Sequence, residues 1–140
     1  MLRRGRWLVA LALVAALAAC QQAPTPAFRG GPRLSIEPPR LDLGQLPTVT
    51  PKEATLTLRN VGDAPLKIEK AYTRLLEGCC PPQPQLKEQV IPPGGKEKVT
   101  FRVVMSQDMV GLHRFEVVIE SNDAAAPRQT AEIAAEFVQK

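Results

Sequence analysis

The stretch KEKVTFRVVMSQDMVGLHRFEVVIES, residues 96–121, consists of two alternating runs joined by a polar bend. In KEKVTFRVVM (96–105), Val99, Phe101, Val103 and Met105 fall on one side, and in HRFEVVIES (113–121), His113, Phe115, Val117 and Ile119 do the same. A repeat of two marks a strand with one face buried, whereas a helix would repeat its apolar positions every three or four residues. Two such runs around a short bend predict an antiparallel pair.

The same period extends in both directions. RLSIE (33–37) and LDLG (41–44) alternate around Pro38-Pro39, and in EATLTLRN (53–60) Ala54, Leu56 and Leu58 share a face. NVGDAP then supplies a turn, because asparagine, aspartate, glycine and proline each favour tight backbone reversals. LKIEKAYTR (66–74) follows, then a cysteine loop, a short QLKEQVI (85–91) and the turn PPGG. At the C-terminal end, Thr130–Val138 of QTAEIAAEFV (129–138) has enough alanine to suit a helix, but the turn SNDAAAP before it and the strand spacing upstream favour a strand. About seven short strands with turns every ten residues or so predict an all-β fold, an Ig-like antiparallel β-sandwich. Neither the second nor the sixth predicted strand contains cysteine, so no antibody-type core disulfide is available and apolar packing must hold the sheets together.

Outside this pattern lies the N-terminus. MLRRGR leads into WLVALALVAALAA and then Cys20, a basic start and an apolar run in the layout of a signal peptide over residues 1–19. The run is shorter than the roughly 20 residues that span a bilayer as a helix. LAAC (17–20) resembles the bacterial lipobox, which implies cleavage before Cys20 and lipidation of its sulfur, with an ordinary secretory signal as the alternative. Gln21 is not the aspartate that often retains lipoproteins in the inner membrane. The expected place is therefore extracytoplasmic, in the periplasm or at the cell surface, on the cell membrane or the outer membrane. Residues 20–32, the lipidated cysteine and QQAPTPAFRGGP, read as a flexible tether, and residues 33–140 form the sandwich domain, which buries roughly 65% of its unfolded surface.

Cleavage also changes the charge. The precursor carries +4 with a pI near 9.2, but the leader takes Arg3, Arg4 and Arg6 with it and no acidic residue. The mature chain is close to neutral, which removes the basic face a nucleic-acid partner would require. Phe28, Phe101, Phe115, Phe137 and Tyr72 are too scattered to make a stacking platform for bases or sugars.

LDLGQL, LTLRNVGDAPLKIEKA, the cysteine pair, IPPGGKEKVTFRV, GLHRFEVVIESND and PRQTAEIAAEF together resemble a bacterial family of small exported Ig-like domains of unknown function, relatives of the Hydin and major sperm protein sandwiches. The similarity covers residues 41–138 and implies an Ig-like fold and an extracytoplasmic location. Many members carry Cys-x-Cys followed by threonine; here Cys79 and Cys80 are adjacent and two prolines follow.

The polar bend raises the question of chemistry. MSQDMVGLH (105–113) contains both methionines other than Met1 and the single histidine. In the predicted topology the GCCPP loop (78–82) and the SQDMVGL bend emerge at the same pole, so Cys79, Cys80, Met105, Met109 and His113 can gather there. Two thiols, two thioethers and one imidazole are soft ligands. They suit Cu(I) above other available ions; Zn²⁺ fits less well because thioether binds it poorly, and Mg²⁺ or Ca²⁺ would need more oxygen than Asp108 and Glu77 provide. Each residue also has a quieter reading: Met105 as core filler, His113 as a rim residue bonded to backbone.

A disulfide between the neighbouring cysteines is the alternative for the pair. Their Cα atoms lie about 3.8 Å apart across a trans peptide, below the usual disulfide range, and the bond would close almost no loop. Pro81 biases Cys80 towards extended backbone, where successive side chains point to opposite faces, so both sulfurs reach one ion only if Gly78 turns the loop.

Three functional readings follow. The first is a membrane-anchored lipoprotein that binds Cu(I) at one pole for delivery or sequestration, with a copper donor or acceptor as partner. The second is a docking or envelope-assembly module that binds another envelope protein through strand edges or loops. Catalysis is the third, and the single histidine and the lack of an activating helix N-terminus at the cysteines weigh against an enzyme.

Overall fold

The computed structural model describes residues 30–139, and within them all regular structure is β. The leader, Cys20 and most of the tether lie outside the described residues. Nine strands follow in order: β1 (Leu34–Glu37), β2 (Arg40–Pro47), β3 (Lys52–Asn60), β4 (Leu66–Glu77), β5 (Pro84–Leu86), β6 (Val90–Ile91), β7 (Lys96–Val103), β8 (Gly111–Ser121) and β9 (Arg128–Val138). They form two sheets, β1-β3-β7-β5 and β2-β9-β8-β4-β6, packed face to face.

Alternation explains which side chains lie between the sheets. Leu56, Leu58, Val99, Phe101 and Val103 of one sheet meet Ile68, Phe115, Val117, Ile119, Ile133 and Phe137 of the other, all buried. β9 is a strand and not a helix because Ala131 and Ala135 sit on the inward repeat with Ile133 and Phe137. Its outward glutamates pair across the sheet, Glu132 with Arg114 at 2.8 Å and Glu136 with Gln45 at 3.1 Å.

Three features differ from the sequence pattern. Pro38 and Pro39 lack backbone donors, so the first alternating run does not continue as one strand: β1 stays with β3, while β2 crosses to the other sheet and runs parallel to β9. The single strand expected over 85–91 divides into β5 and β6, which belong to opposite sheets. The expected seven strands therefore become nine, and one pair is parallel.

Two buried polar groups close the ends of the strands. Asn60 is fully buried and makes four hydrogen bonds: its Nδ2 donates to Ala64 O (2.8 Å) and Ile91 O (2.9 Å), and its Oδ1 accepts from Arg33 N (3.3 Å) and Gly62 N (3.0 Å). Asp123 accepts from the backbone amides of Leu34, Ala125 and Ala126. Both lie at the pole where the chain enters the domain, since Gly31 O also accepts from Asp63 N. The opposite pole carries the ends of β2, β4, β7 and β9 and the start of β8.

Candidate metal centre

The site builds from the ends of two strands in different sheets. β7 stops at Val103, and the chain makes a turn in which Met109 N donates to Ser106 O at 3.0 Å. This folds Met109 back towards the core, half-buried. β4 ends at Glu77, and the chain crosses to the other sheet through Gly78–Pro82. Thr73 Oγ1 donates to Pro82 O at 2.6 Å and fixes the far end of that crossing.

The crossing turns sharply. Gly78 has φ +87° and Cys80 has φ +57°, both left-handed. The expected extended geometry at Cys80 is thus corrected: despite Pro81, the turn imposed by the loop overrides the local preference. A left-handed non-glycine residue costs about 1–2 kcal/mol. The consequence is that the two cysteine side chains do not point to opposite faces. The Cys79 thiol donates to Met109 Sδ at 3.2 Å, and Cys80 Sγ lies 3.8 Å from the same atom. Both cysteines are unbridged.

Cys79, Cys80 and Met109 are therefore brought together from positions about thirty residues apart. An ion bonded to two sulfurs at about 2.3 Å each, with a trigonal angle between them, sets those sulfurs roughly 4 Å apart. The 3.8 Å pair is already close to that spacing. The 3.2 Å pair has to open by less than 1 Å.

The other two candidates lie deeper. Met105 is 2% exposed and packs with the hydrophobic core, while its carbonyl accepts from Val49 N at 2.8 Å. His113 is 3% exposed. Its Nδ1 donates to Gly111 O at 3.0 Å, and its ring meets Phe137 edge-on at 5.2 Å. Because a carbonyl only accepts, Nδ1 carries the proton of this contact, and Nε2 is the nitrogen left for another partner. The imidazole lies directly under Gly78, where an added Cβ would come within 2.4 Å of Cδ2 and 3.0 Å of Nε2. Met105 and His113 thus each occupy the quieter position the sequence allowed them.

The surroundings of Cys79 favour its protonated thiol. The Cys79 pKa is raised, first by its hydrogen bond with Cys80, then by desolvation, then by the charges of Cys80 and Asp108. Metal binding here would have to displace that proton, so it would weaken as pH falls. Among the described residues no three His, Cys, Asp or Glu side chains converge as a ready-made metal group. A three-ligand site at the two thiols would draw on the Met109 thioether.

Two contributors were missed in the sequence: Thr73 anchors the crossing, and Gly111 (φ +106°) offers its carbonyl to His113. Asp108, which the sequence placed at this pole, lies close enough to influence Cys79. Only the glycine before a strand gave a local signal.

Comparison with known proteins places this geometry on a known scaffold. A protein of unknown function from Porphyromonas gingivalis W83 is similar over 75% of this chain and 46% of its own, with 24% identity and a TM-score of 0.62. PapD-like domain 7 of human CEP192 is similar over 76% of this chain and 86% of its own, at 12% identity and a TM-score of 0.51. The CsuC–CsuE chaperone–tip adhesion subunit complex of Acinetobacter baumannii contains a chain similar over 75% of this one and 57% of its own, at 12% identity and a TM-score of 0.50. This chain spans less than half the length of the first of these. No curated protein matches it. The profile of HYDIN/CFA65/VesB-like Ig-like domains matches residues 32–136. With most of its length and both of its sheets inside that match, the chain belongs to the HYDIN/CFA65/VesB-like family of Ig-like domains.

Proposed function

We propose that this Ig-like domain is the extracytoplasmic part of a lipid-anchored protein that holds one Cu(I) ion at its sulfur pole, for delivery or sequestration. The observation that carries the reading is the convergence of Cys79 Sγ and Cys80 Sγ on Met109 Sδ, at 3.2 and 3.8 Å. A sulfur set that includes a thioether favours Cu(I) over Zn²⁺, and sulfur of either kind disfavours Mg²⁺ and Ca²⁺. Cys79, Cys80 and Met109 are the primary ligands, and His113 and Met105 support them from beneath. Cys20 carries the lipid.

The domain is read as non-catalytic. Its one histidine is buried and commits Nδ1 to backbone, which leaves no exposed imidazole beside the thiols.

The test is a competition titration of the mature chain without its lipid against a chromophoric Cu(I) chelator. About one Cu(I) per chain, bound at nanomolar or tighter affinity, is expected. Met109→Ala and a Cys79→Ser, Cys80→Ser double variant should each weaken it at least tenfold. No uptake, or equal uptake by those variants, rejects the reading.

A second reading is favoured by the likeness to PapD-like and chaperone–adhesin folds: a docking module for another envelope protein. It predicts binding that survives loss of both thiols but not a proline placed in an edge strand, because strand addition depends on backbone donors.

A further inference from the structure

Eight large apolar side chains are exposed among the described residues, and six of them belong to the sulfur pole: Val49, Leu75, Leu76, Val104, Val110 and Leu112. Their positions follow from the strand register. Leu75 and Leu76 close β4 just before Gly78, Val104 follows β7, Val110 and Leu112 flank Gly111, and Val49 is tied to Met105 O. Val49 is also left-handed at φ +56° and still exposed. For a β-branched residue that is costly backbone, retained where more than half of the residue faces solvent. The other two, Val61 and Val90, lie towards the opposite pole, next to Arg33 and Lys67. The six at the sulfur pole form an apolar collar that shares the pole with exposed Cys80 and with the carboxylates of Glu77 and Asp108, and an apolar patch with a polar rim has the make-up of an interface.

The place where the described chain begins decides between possible occupants. Gly31 and Arg33 are bonded to Asp63 and Val61 at the pole opposite the sulfurs. β8, eleven residues long, separates the two poles by about 35 Å. The ten residues from Cys20 to Gly30 can span at most about 35 Å. A tether anchored at Cys20 would have to run taut along the whole body to bring the collar to its own membrane. Two copies anchored in one membrane would point their sulfur poles the same way, which disfavours a pole-to-pole pair.

We infer that the apolar collar is the docking face for a separate Cu(I)-carrying protein, which presents its own sulfur ligand through an apolar loop on the side away from the anchoring membrane. This rests on the copper reading of the same pole. In the exchange, the bond from Cu(I) to Cys80 Sγ breaks as a bond to the incoming sulfur forms. The ion keeps its single positive charge, and the proton given up by the incoming thiol ends on the released Cys80 sulfur.

The experiment uses the full lipidated chain in its native envelope, with a photoreactive benzophenone side chain at Val104 or Val110, and at Val61 or Val90 as controls. A discrete protein adduct from the first pair but not the second is expected. The purified partner should exchange Cu(I) with the chain, and Val110→Asp should slow that exchange at least tenfold with Cu(I) affinity unchanged. Adducts to lipid, to a second copy or equally from both poles would overturn the inference, as would a partner that exchanges no Cu(I) or an exchange rate indifferent to Val110→Asp. Loss of Cu(I) binding by the chain itself, with the adduct retained, would instead reject the copper reading and leave a docking face.

Discussion

Replacing Gly78 with alanine isolates the contact that fixes the cysteine loop. Two costs arise. At φ +87° a Cβ strains the backbone by about 1–2 kcal/mol. The same Cβ would lie 2.4 Å from His113 Cδ2, and the ring cannot simply retreat because it is buried against Phe137 and bonded to Gly111 O. Overpacking of this kind typically adds about 1–3 kcal/mol, so a total near 3 kcal/mol is expected. For a domain of roughly a hundred residues, each kcal/mol moves Tm by about 4–5 °C, and Gly78→Ala should melt about 13 °C lower by circular dichroism. Gly94→Ala is the control: φ is +74°, yet an added Cβ there meets nothing within 4 Å, so only the backbone cost of about 1–2 kcal/mol applies. If the two variants melt within about 2 °C of each other, the imidazole does not brace the loop and the reasoning fails.

Other consequences are open to measurement. Asn60→Leu removes four hydrogen bonds at a fully buried position and leaves two amides and two carbonyls without that partner. Stability in urea should fall by about 3–5 kcal/mol, and a loss under 1 kcal/mol would mean that water replaces the side chain. The Cys79 thiol is held above its ordinary pKa chiefly by Cys80, so Cys80→Ala should lower it. The pH midpoint of Cys79 alkylation should shift downward and the rate at pH 7 should rise; an upward shift contradicts the assigned cause. Asp108→Asn should move the midpoint the same way but less, because that charge ranks last among the causes.

Much of the fold was legible because burial on one face writes a repeat of two into the sequence. Val99 to Met105 and His113 to Ile119 showed it plainly, and so did Ala131 to Phe137 once their turn was read. The division of 85–91 was hidden because Lys87–Gln89 carries no breaker, and only the switch between sheets ends β5. The parallel placement of β2 beside β9 is a matter of long-range topology that alternation does not encode. At the site, the meeting of the two loops followed from strand direction. The full burial of His113 and the left-handed Cys80 did not, because they depend on how the crossing from β4 to β5 packs over the imidazole. Asn60 and Asp123 could be read as turn residues, but their burial could not.

X-ray absorption at the copper edge of the Cu(I)-loaded mature chain addresses the sulfur pole most directly. The account predicts a first shell dominated by two or three sulfurs at about 2.3 Å, with one lost in Met109→Leu. A shell of nitrogen and oxygen only, or one unchanged when Cys79, Cys80 and Met109 are all replaced, would contradict it.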